Sequence, residues 1–401
     1  MKQQLENLAN ELETELKSNI LSWWMIQSPD HKNGGYVGRV NLQNRIVENA
    51  SKGSILNARI LWTFSAAYDM FRNGEYLEYA TRAYEYILDN FIDPVHGGVF
   101  WEIDHTGRVL NPKNQIYALA FMVYAMTEYF LVTREKHALE TAKGLFELIE
   151  RNSLDPQRNG YREAFGRDWK SIDDLRLSEK DLNASKTMNT HLHILEAYTN
   201  LYRAWNCAET ENALENIIRL FMEGFIDPHT HHLQLFFDDE WNLKSDLISY
   251  GHDIECSWLL YEAAELLGYK ELTSTAKQIS VNIARQSFTG LDKDHGLFYE
   301  YFPSENRIDT DKHWWVQAEA MVGFLNAYQL SGEDIFARKA LDSWEFIKKT
   351  MIDHKEGEWF LKVNRKGLPY PGDEKAGFWK CPYHNGRACL EIIKRTSIIG
   401  T

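Results

Sequence analysis

The sequence predicts an all-α fold, an (α/α)6 toroid in which six inner helices close a ring inside six outer ones, with short strands or β-hairpins at one end. Three observations lead there. A turn followed by an aromatic, strand-like stretch recurs six times along the chain at intervals of roughly 60 to 70 residues. Between successive turns there is room for two helices, one amphipathic and the other apolar and aromatic on most sides, as a buried helix is. No Pro/Gly/Ser-rich linker interrupts the 401 residues, so one domain over residues 1–401 is expected. An open solenoid would want polar capping repeats, which are not evident.

The first element is a helix, because Leu5, Leu8, Leu12, Leu16 and Ile20 recur at steps of three and four. It runs into Asp30-His31-Lys32-Asn33-Gly34-Gly35, where the glycines make a turn, and the alternation from Tyr36 to Val40 suits a short strand. The same punctuation returns at Asp93-Pro94 before Val99-Phe100-Trp101, at Asp155-Pro156 before Tyr161, and at Asp227-Pro228 before Leu233 to Phe237. Two further copies are Asp292 before Leu297-Phe298-Tyr299 and Asp353 before Glu358-Trp359-Phe360. Outer helices are predicted over Tyr76 to Phe91, Lys136 to Arg151, Asn212 to Phe225, Lys270 to Arg285 and Ile335 to Met351, with the N-terminal helix as the sixth. Inner helices are predicted to begin near Ile55, Ile116, Thr187, Gly251, Trp314 and Tyr383.

With 44% hydrophobic and 13% aromatic residues the chain can bury a large core. Its formal net charge of -14, with no Lys/Arg cluster, disfavours nucleic acid and anionic membranes as partners. The start, Met1-Lys2-Gln3-Gln4-Leu5-Glu6, lacks an apolar signal core and no run approaches bilayer length, so a cytoplasmic monomer is expected. Cys207, Cys256, Cys381 and Cys389 have neither disulfide-framework nor zinc spacing, which points to a reduced compartment and no structural metal.

Polar residues gather where the inner helices begin: Asn57 and Arg59, Gln115 and Tyr117, Asn189 with His191 and His193, His252 and Glu255, Trp315 and Glu319, His384 with Arg387. In a closed ring, equivalent helix ends point into one concavity, and small-molecule sites are built from such an apolar, aromatic wall with few convergent polar groups. His252 and Glu255, three residues apart, share a helix face, which sets a titratable base beside a carboxylate able to orient it. Asn189 and His193 are four apart and also share a face, whereas His191 points away, so His193 is assigned to the pocket and His191 to structure. His229, His231 and His232 lie on one turn and are read as solvated rather than as metal ligands.

Four stretches carry a family resemblance: Lys186-Thr187-Met188-Asn189-Thr190-His191-Leu192-His193, Ser249-Tyr250-Gly251-His252-Asp253-Ile254-Glu255, Trp314-Trp315-Val316-Gln317-Ala318-Glu319-Ala320, and Trp379-Lys380-Cys381-Pro382-Tyr383-His384-Asn385-Gly386-Arg387. They resemble the motifs of the cellobiose 2-epimerases in the N-acylglucosamine 2-epimerase superfamily, and the similarity runs over essentially the whole chain, including Ile55 to Trp62. The resemblance implies an (α/α)6 barrel, His252 and His384 as an acid/base pair, and His193, Arg59, Asn189, Tyr117, Glu255, Glu319, Trp315, Trp379 and Asp181 as other pocket positions.

It also implies inversion of C2 at the reducing-end glucose of a β-1,4-linked disaccharide, cellobiose to glucosyl-mannose or lactose to epilactose. The residue types suit that chemistry, since removing a weakly acidic proton beside an aldehyde needs a near-neutral base and histidine titrates there. The expected partner is therefore the disaccharide itself. With no phosphate loop or clear metal-ligand cluster, neither cofactor nor metal is expected. The alternatives are 2-epimerisation or aldose-ketose isomerisation of free monosaccharides, or inverting glycoside hydrolysis by Glu255 and Glu319 on the same fold.

Overall fold

The computed structural model describes residues 1–399. Each of the six turns closes through an antiparallel bridge: Pro29 to Tyr36, Ile92 to Val99, Leu154 to Tyr161, Ile226 to Leu233, Leu291 to Leu297 and Ile352 to Trp359. In five of them the opening aspartate caps its own turn by accepting N–H groups two and three residues on, as Asp30 does from Lys32 (3.0 Å) and Asn33 (2.8 Å). Four of the aspartates are also met by a lysine whose side chain is wholly buried: Lys52 on Asp30 (2.9 Å), Lys186 on Asp155 (3.1 Å), Lys312 on Asp292 (3.1 Å) and Lys375 on Asp353 (2.7 Å). Burying those charges is tolerable because the remaining carboxylate valences go to backbone N–H groups. In the second turn Arg167 takes the lysine's part on Asp93, at 2.6 Å.

Each lysine belongs to a short strand that leads into an inner helix and pairs with a strand after the following turn. Lys52–Gly53 pairs with Glu102–Ile103, Asn114–Gln115 with Ala164–Phe165, and Lys186–Thr187 with Phe236–Phe237. Ile248–Ser249 pairs with Glu300–Phe302, Lys312–His313 with Lys362–Val363, and Glu374–Ala376 with Val40–Asn41. The last pairing joins the sixth repeat back to the first.

The helices are α1 (Lys2–Glu15), α2 (Ser22–Gln27), α3 (Ser54–Phe71), α4 (Gly74–Asn90), α5 (Ile116–Thr133), α6 (Lys136–Asn152), α7 (Met188–Ala204), α8 (Ala208–Leu220), α9 (Tyr250–Leu267), α10 (Lys270–Gln286), α11 (Trp314–Ser331), α12 (Asp334–Phe346) and α13 (Tyr383–Ile399). The inner ring runs α3, α5, α7, α9, α11, α13 and back to α3, each helix touching the next. Around it lie α4, α6, α8, α10 and α12, with α1 on α13 as the sixth outer member. This is the (α/α)6 barrel that the repeat predicts. The predicted outer helix from Asn212 starts a turn earlier, because Cys207 and Thr210 form a capping box there. Short π-helical segments, Phe221–Phe225 and Ile347–Met351, complete that helix and the one predicted to reach Met351.

One expectation is corrected. Helix α5 is long and apolar enough to cross a membrane by length and composition, with a mean hydropathy of 1.5. Its place in the inner ring accounts for this: 72% of that stretch is buried against neighbouring helices, so almost every side demands an apolar residue.

Candidate active site

The strand pairings put the starts of all six inner helices at one end of the ring, and equivalent positions on those helices form layers. The fourth residues of α7, α9 and α11 are His191, Asp253 and Gln317, and each accepts the backbone N–H of the bridge residue in the preceding turn: Tyr161 (2.8 Å), Leu233 (2.8 Å) and Leu297 (2.8 Å). His191 is thus the counterpart of a structural aspartate and a structural glutamine. Its other nitrogen, Nδ1, donates to Thr187 O at 2.6 Å, and burial holds it neutral, with its pKa lowered to about 3. The sixth residues of α3, α5, α7, α9 and α11 are Arg59, Phe121, His193, Glu255 and Glu319.

Three histidines meet at this end, and each has Nδ1 fixed while Nε2 has no hydrogen-bond partner among the described residues. His384 Nδ1 lies 2.7 Å from Glu319 Oε1, His193 Nδ1 lies 3.1 Å from Glu196 Oε2, and His252 Nδ1 lies 2.7 Å from Ser249 Oγ. The rings of His252 and His384 both pack on Trp315, with centroids 4.8 and 5.6 Å away. Burial lowers the pKa of all three, His252 to about 3 and His384 well below the ordinary value, so all are neutral at pH 7.

The expected pairing of His252 with Glu255 is not what forms. On a helix the Cα–Cβ bond tilts toward the N-terminus, so the His252 side chain reaches back to Ser249 rather than forward to Glu255. Glu255 instead accepts from Arg387 Nη2 (2.6 Å) and lies 3.8 Å from His384 Nδ1. Arg387 is the hub of the cluster. Its Nη2 also donates to Glu319 (2.6 Å), and its Nη1 to Glu196 and to the Tyr383 hydroxyl, which in turn donates to Glu196.

One guanidinium cannot neutralise three buried carboxylates. Against the cost of burial, Arg387 and its neighbours hold Glu196 down to about 2. Burial and mutual repulsion push Glu255 well above the usual carboxylate range, and burial raises Glu319 as well. Glu319 receives Arg387, His384 and the Trp258 Nε1 donor (3.0 Å), whereas Glu255 receives Arg387, so of the two Glu319 is the better stabilised as a carboxylate.

Arg59 is buried and, among the described residues, meets no carboxylate. It donates to the Tyr117 hydroxyl (2.7 Å) and lies over Phe121, 4.3 Å from the ring centroid. Tyr117 stands edge-on to His193 (4.9 Å) and to Trp379 (5.9 Å), so Arg59, Tyr117, His193 and Trp379 form one wall. Asn189, second in α7, is half-buried, with its Oδ1 unpartnered among the described residues. Asp181 has its carboxylate on the Ser178 N–H and hydroxyl, both at 2.9 Å, and its charge acts on Tyr299, whose ring stands 6.3 Å from that of Trp315.

Glu255, Glu319 and His384 bring ligand atoms within 4.8 Å of one another, close enough to hold a metal, but Arg387 Nη2 is already 2.6 Å from both carboxylates and supplies the positive charge. On the histidine-bearing turn the expectation is corrected: His232 is buried, with Nδ1 2.6 Å from Asp253, and ties the turn to α9. Cavities of about 380 and 590 Å³ lie toward the opposite end of the ring, between the far halves of the inner helices.

Sequence reasoning missed Glu196, Tyr383 and Ser249, and noted Arg387 without a role. A lone acid within the apolar run Ile194-Leu195-Glu196-Ala197 was the available signal for Glu196.

The N-acylglucosamine 2-epimerase (GlcNAc 2-epimerase) family profile matches residues 35–388. A cellobiose 2-epimerase of Bacteroides fragilis is 48% identical over 97% of this chain and 99% of its own, and one of Ruminococcus albus is 41% identical over the same shares. The solved structure of cellobiose 2-epimerase from Bacillus thermoamylovorans superimposes with a TM-score of 0.93 at 41% identity, covering 97% of this chain and 100% of that one. The chain belongs to the N-acylglucosamine 2-epimerase family and is an epimerase.

Proposed function

We propose that the protein inverts C2 at the reducing-end glucose of β-1,4-linked disaccharides, converting cellobiose to glucosyl-mannose and lactose to epilactose, with His252 and His384 as the two proton-transfer groups. The observation that carries this reading is the pair of neutral imidazoles on one tryptophan, Trp315, each with Nδ1 anchored and Nε2 free. The name cellobiose 2-epimerase borne by close relatives supports the disaccharide as substrate.

Once the sugar ring opens, one neutral histidine takes the C2 proton, and the electron pair moves into the C1–C2 bond to give a cis-enediolate with negative charge on oxygen. The other histidine, protonated on Nε2 from solvent before this step, delivers that proton to the opposite face of C2; the ring closes on the inverted centre and the first histidine returns its proton to solvent. When His384 accepts, its imidazolium sits on the Glu319 carboxylate. Arg59, a permanent cation that meets no carboxylate among the described residues, would stabilise the enediolate, a contribution of about 3 kcal/mol for one well-placed donor, while neutral His193, its Nδ1 proton on Glu196, would accept a sugar hydroxyl at Nε2.

Inverting hydrolysis fits poorly, because the two carboxylates of such enzymes stand about 6.5 to 9.5 Å apart around a water. Here ligand oxygens of Glu255 and Glu319 lie within 4.8 Å and share one arginine nitrogen.

The test is incubation with cellobiose, lactose, mannose and N-acetylglucosamine in deuterated water, followed by chromatography and NMR of the products. An isomeric disaccharide carrying deuterium at C2 is expected, and His252→Asn and His384→Asn are each expected to lower the rate by about 10²- to 10⁴-fold. Glucose as the product, or an epimer without deuterium at C2, would overturn the reading.

A further inference from the structure

The three histidines are anchored in two different ways. His384 and His193 have carboxylates at Nδ1, whereas His252 has a neutral hydroxyl. We propose that Ser249 is a dedicated positioning residue for His252, holding its ring by Nδ1 without fixing its tautomer, and so makes the two proton-transfer groups chemically unequal. This rests on the two-histidine reading above.

The local structure supports that assignment. Ser249 is the N-cap residue of α9, where a serine side chain ordinarily accepts a backbone N–H from the first turn. Its counterpart on α7, Thr187, does so, accepting the Thr190 N–H at 3.3 Å. Ser249 makes no such cap, and its hydroxyl goes instead to the His252 ring at 2.7 Å. A helix cap is worth about 1 kcal/mol, so the diversion gives up stability at this helix end in favour of an anchored imidazole. Ser249 is 1% exposed, and its strand pairs opposite Glu300, so its backbone has little freedom.

The two kinds of anchor have different consequences. An ionised carboxylate can only accept, so Glu319 fixes the proton of neutral His384 on Nδ1, leaves a lone pair at Nε2, and stabilises the imidazolium once Nε2 has taken a proton. A hydroxyl accepts from Nδ1–H or, by rotating, donates to Nδ1, and adds no charge to either state. His384 is therefore the better-supported base. His252, once protonated, is the stronger acid and the readier donor. Losing the Ser249 hydroxyl would leave proton removal by His384 in place and impair delivery from His252.

The experiment compares wild type, Ser249→Ala and Ser249→Thr in deuterated water, starting from each epimer in turn. Epimer formation and deuterium at C2 of the recovered starting sugar are followed together. For Ser249→Ala a 10- to 100-fold loss of epimerisation is expected with KM within threefold of wild type. C2 exchange of the epimer whose hydrogen faces His384 should fall less than threefold, so its exchange-to-epimerisation ratio rises at least fivefold. Ser249→Thr, which keeps the hydroxyl, should hold that ratio at the wild-type value and guards against a fold defect in the alanine variant. Exchange and epimerisation falling together in Ser249→Ala, neither changing, or an equal rise of the ratio in Ser249→Thr would each overturn the assignment while leaving two-histidine transfer standing. Wild-type epimer lacking C2 deuterium would instead remove the underlying mechanism and this inference with it.

Discussion

Glu319 Oε1 stands 2.7 Å from His384 Nδ1, and the same oxygen is 2.6 Å from Arg387 Nη2. The carboxylate therefore orients the imidazole and supports its protonated state, and the arginine offsets part of the cost of burying its charge. Glu319→Gln keeps the shape and an acceptor oxygen but removes the charge. A kcat lower by about 10- to 100-fold with a much smaller change in KM is the expected result, read from steady-state rates on cellobiose. A change confined to KM would place Glu319 in substrate binding.

Two histidines two residues apart should behave oppositely. His191→Gln is expected to keep kcat within threefold, because Gln317 already performs the same task on α11, accepting the Leu297 N–H at 2.8 Å. His193→Gln removes a group that stands against Tyr117 and on Glu196, and should cost about 100-fold in kcat with a melting temperature near that of wild type.

The same His191→Gln variant isolates a pH effect on stability. In the folded chain burial lowers the pKa of His191 to about 3, against about 6.5 when unfolded. Between those values the unfolded state binds the extra proton, so this contribution is fully present above pH 6.5 and is lost as the pH falls toward 3. Glutamine does not titrate. The stability advantage of wild type over His191→Gln, measured by urea unfolding, should shrink by about 2 kcal/mol between pH 7 and pH 5.

Gly251 is the glycine on which Trp315 depends. A Cβ added there would stand 2.5 Å from the Trp315 ring and 2.7 Å from Val316 Cγ2. Gly251→Ala should displace the indole against which His252 and His384 both rest and lower kcat by about 10- to 100-fold, since small misplacements at a reacting centre are costly. An alanine variant with wild-type turnover would show that Trp315 can shift without disturbing either histidine.

The ring was legible in the sequence because its signals are periodic. Apolar steps of three and four mark helices, and the aspartate-and-glycine turns mark every repeat. The histidines were legible because they interrupt that pattern where helices begin. Their partners were not. Side-chain tilt decided that His252 turns to Ser249 and not to Glu255, and a three-residue spacing does not distinguish the two directions. Glu196 and Arg387 come together from helices 191 residues apart in sequence, a distance no local pattern spans. The buried lysines Lys52, Lys186, Lys312 and Lys375 each sit just before an inner helix, yet a single lysine carries no period, and its partner lies about 20 to 30 residues upstream.

Ring closure has a consequence for how the chain matures during synthesis. Helix α1 packs on α13, and Val40–Asn41 pairs with Glu374–Ala376, so residues made early in this sequence find their partners among residues made late in it. At about 5 to 20 residues per second the apolar face of Leu5, Leu8, Leu12 and Leu16 must wait roughly 20 to 80 seconds for α13. His384 and Arg387 arrive on that same helix, so the event that shields this face also completes the proposed acid/base pair. A nascent chain that stops short of α13 thus lacks both the cover for this apolar face and His384.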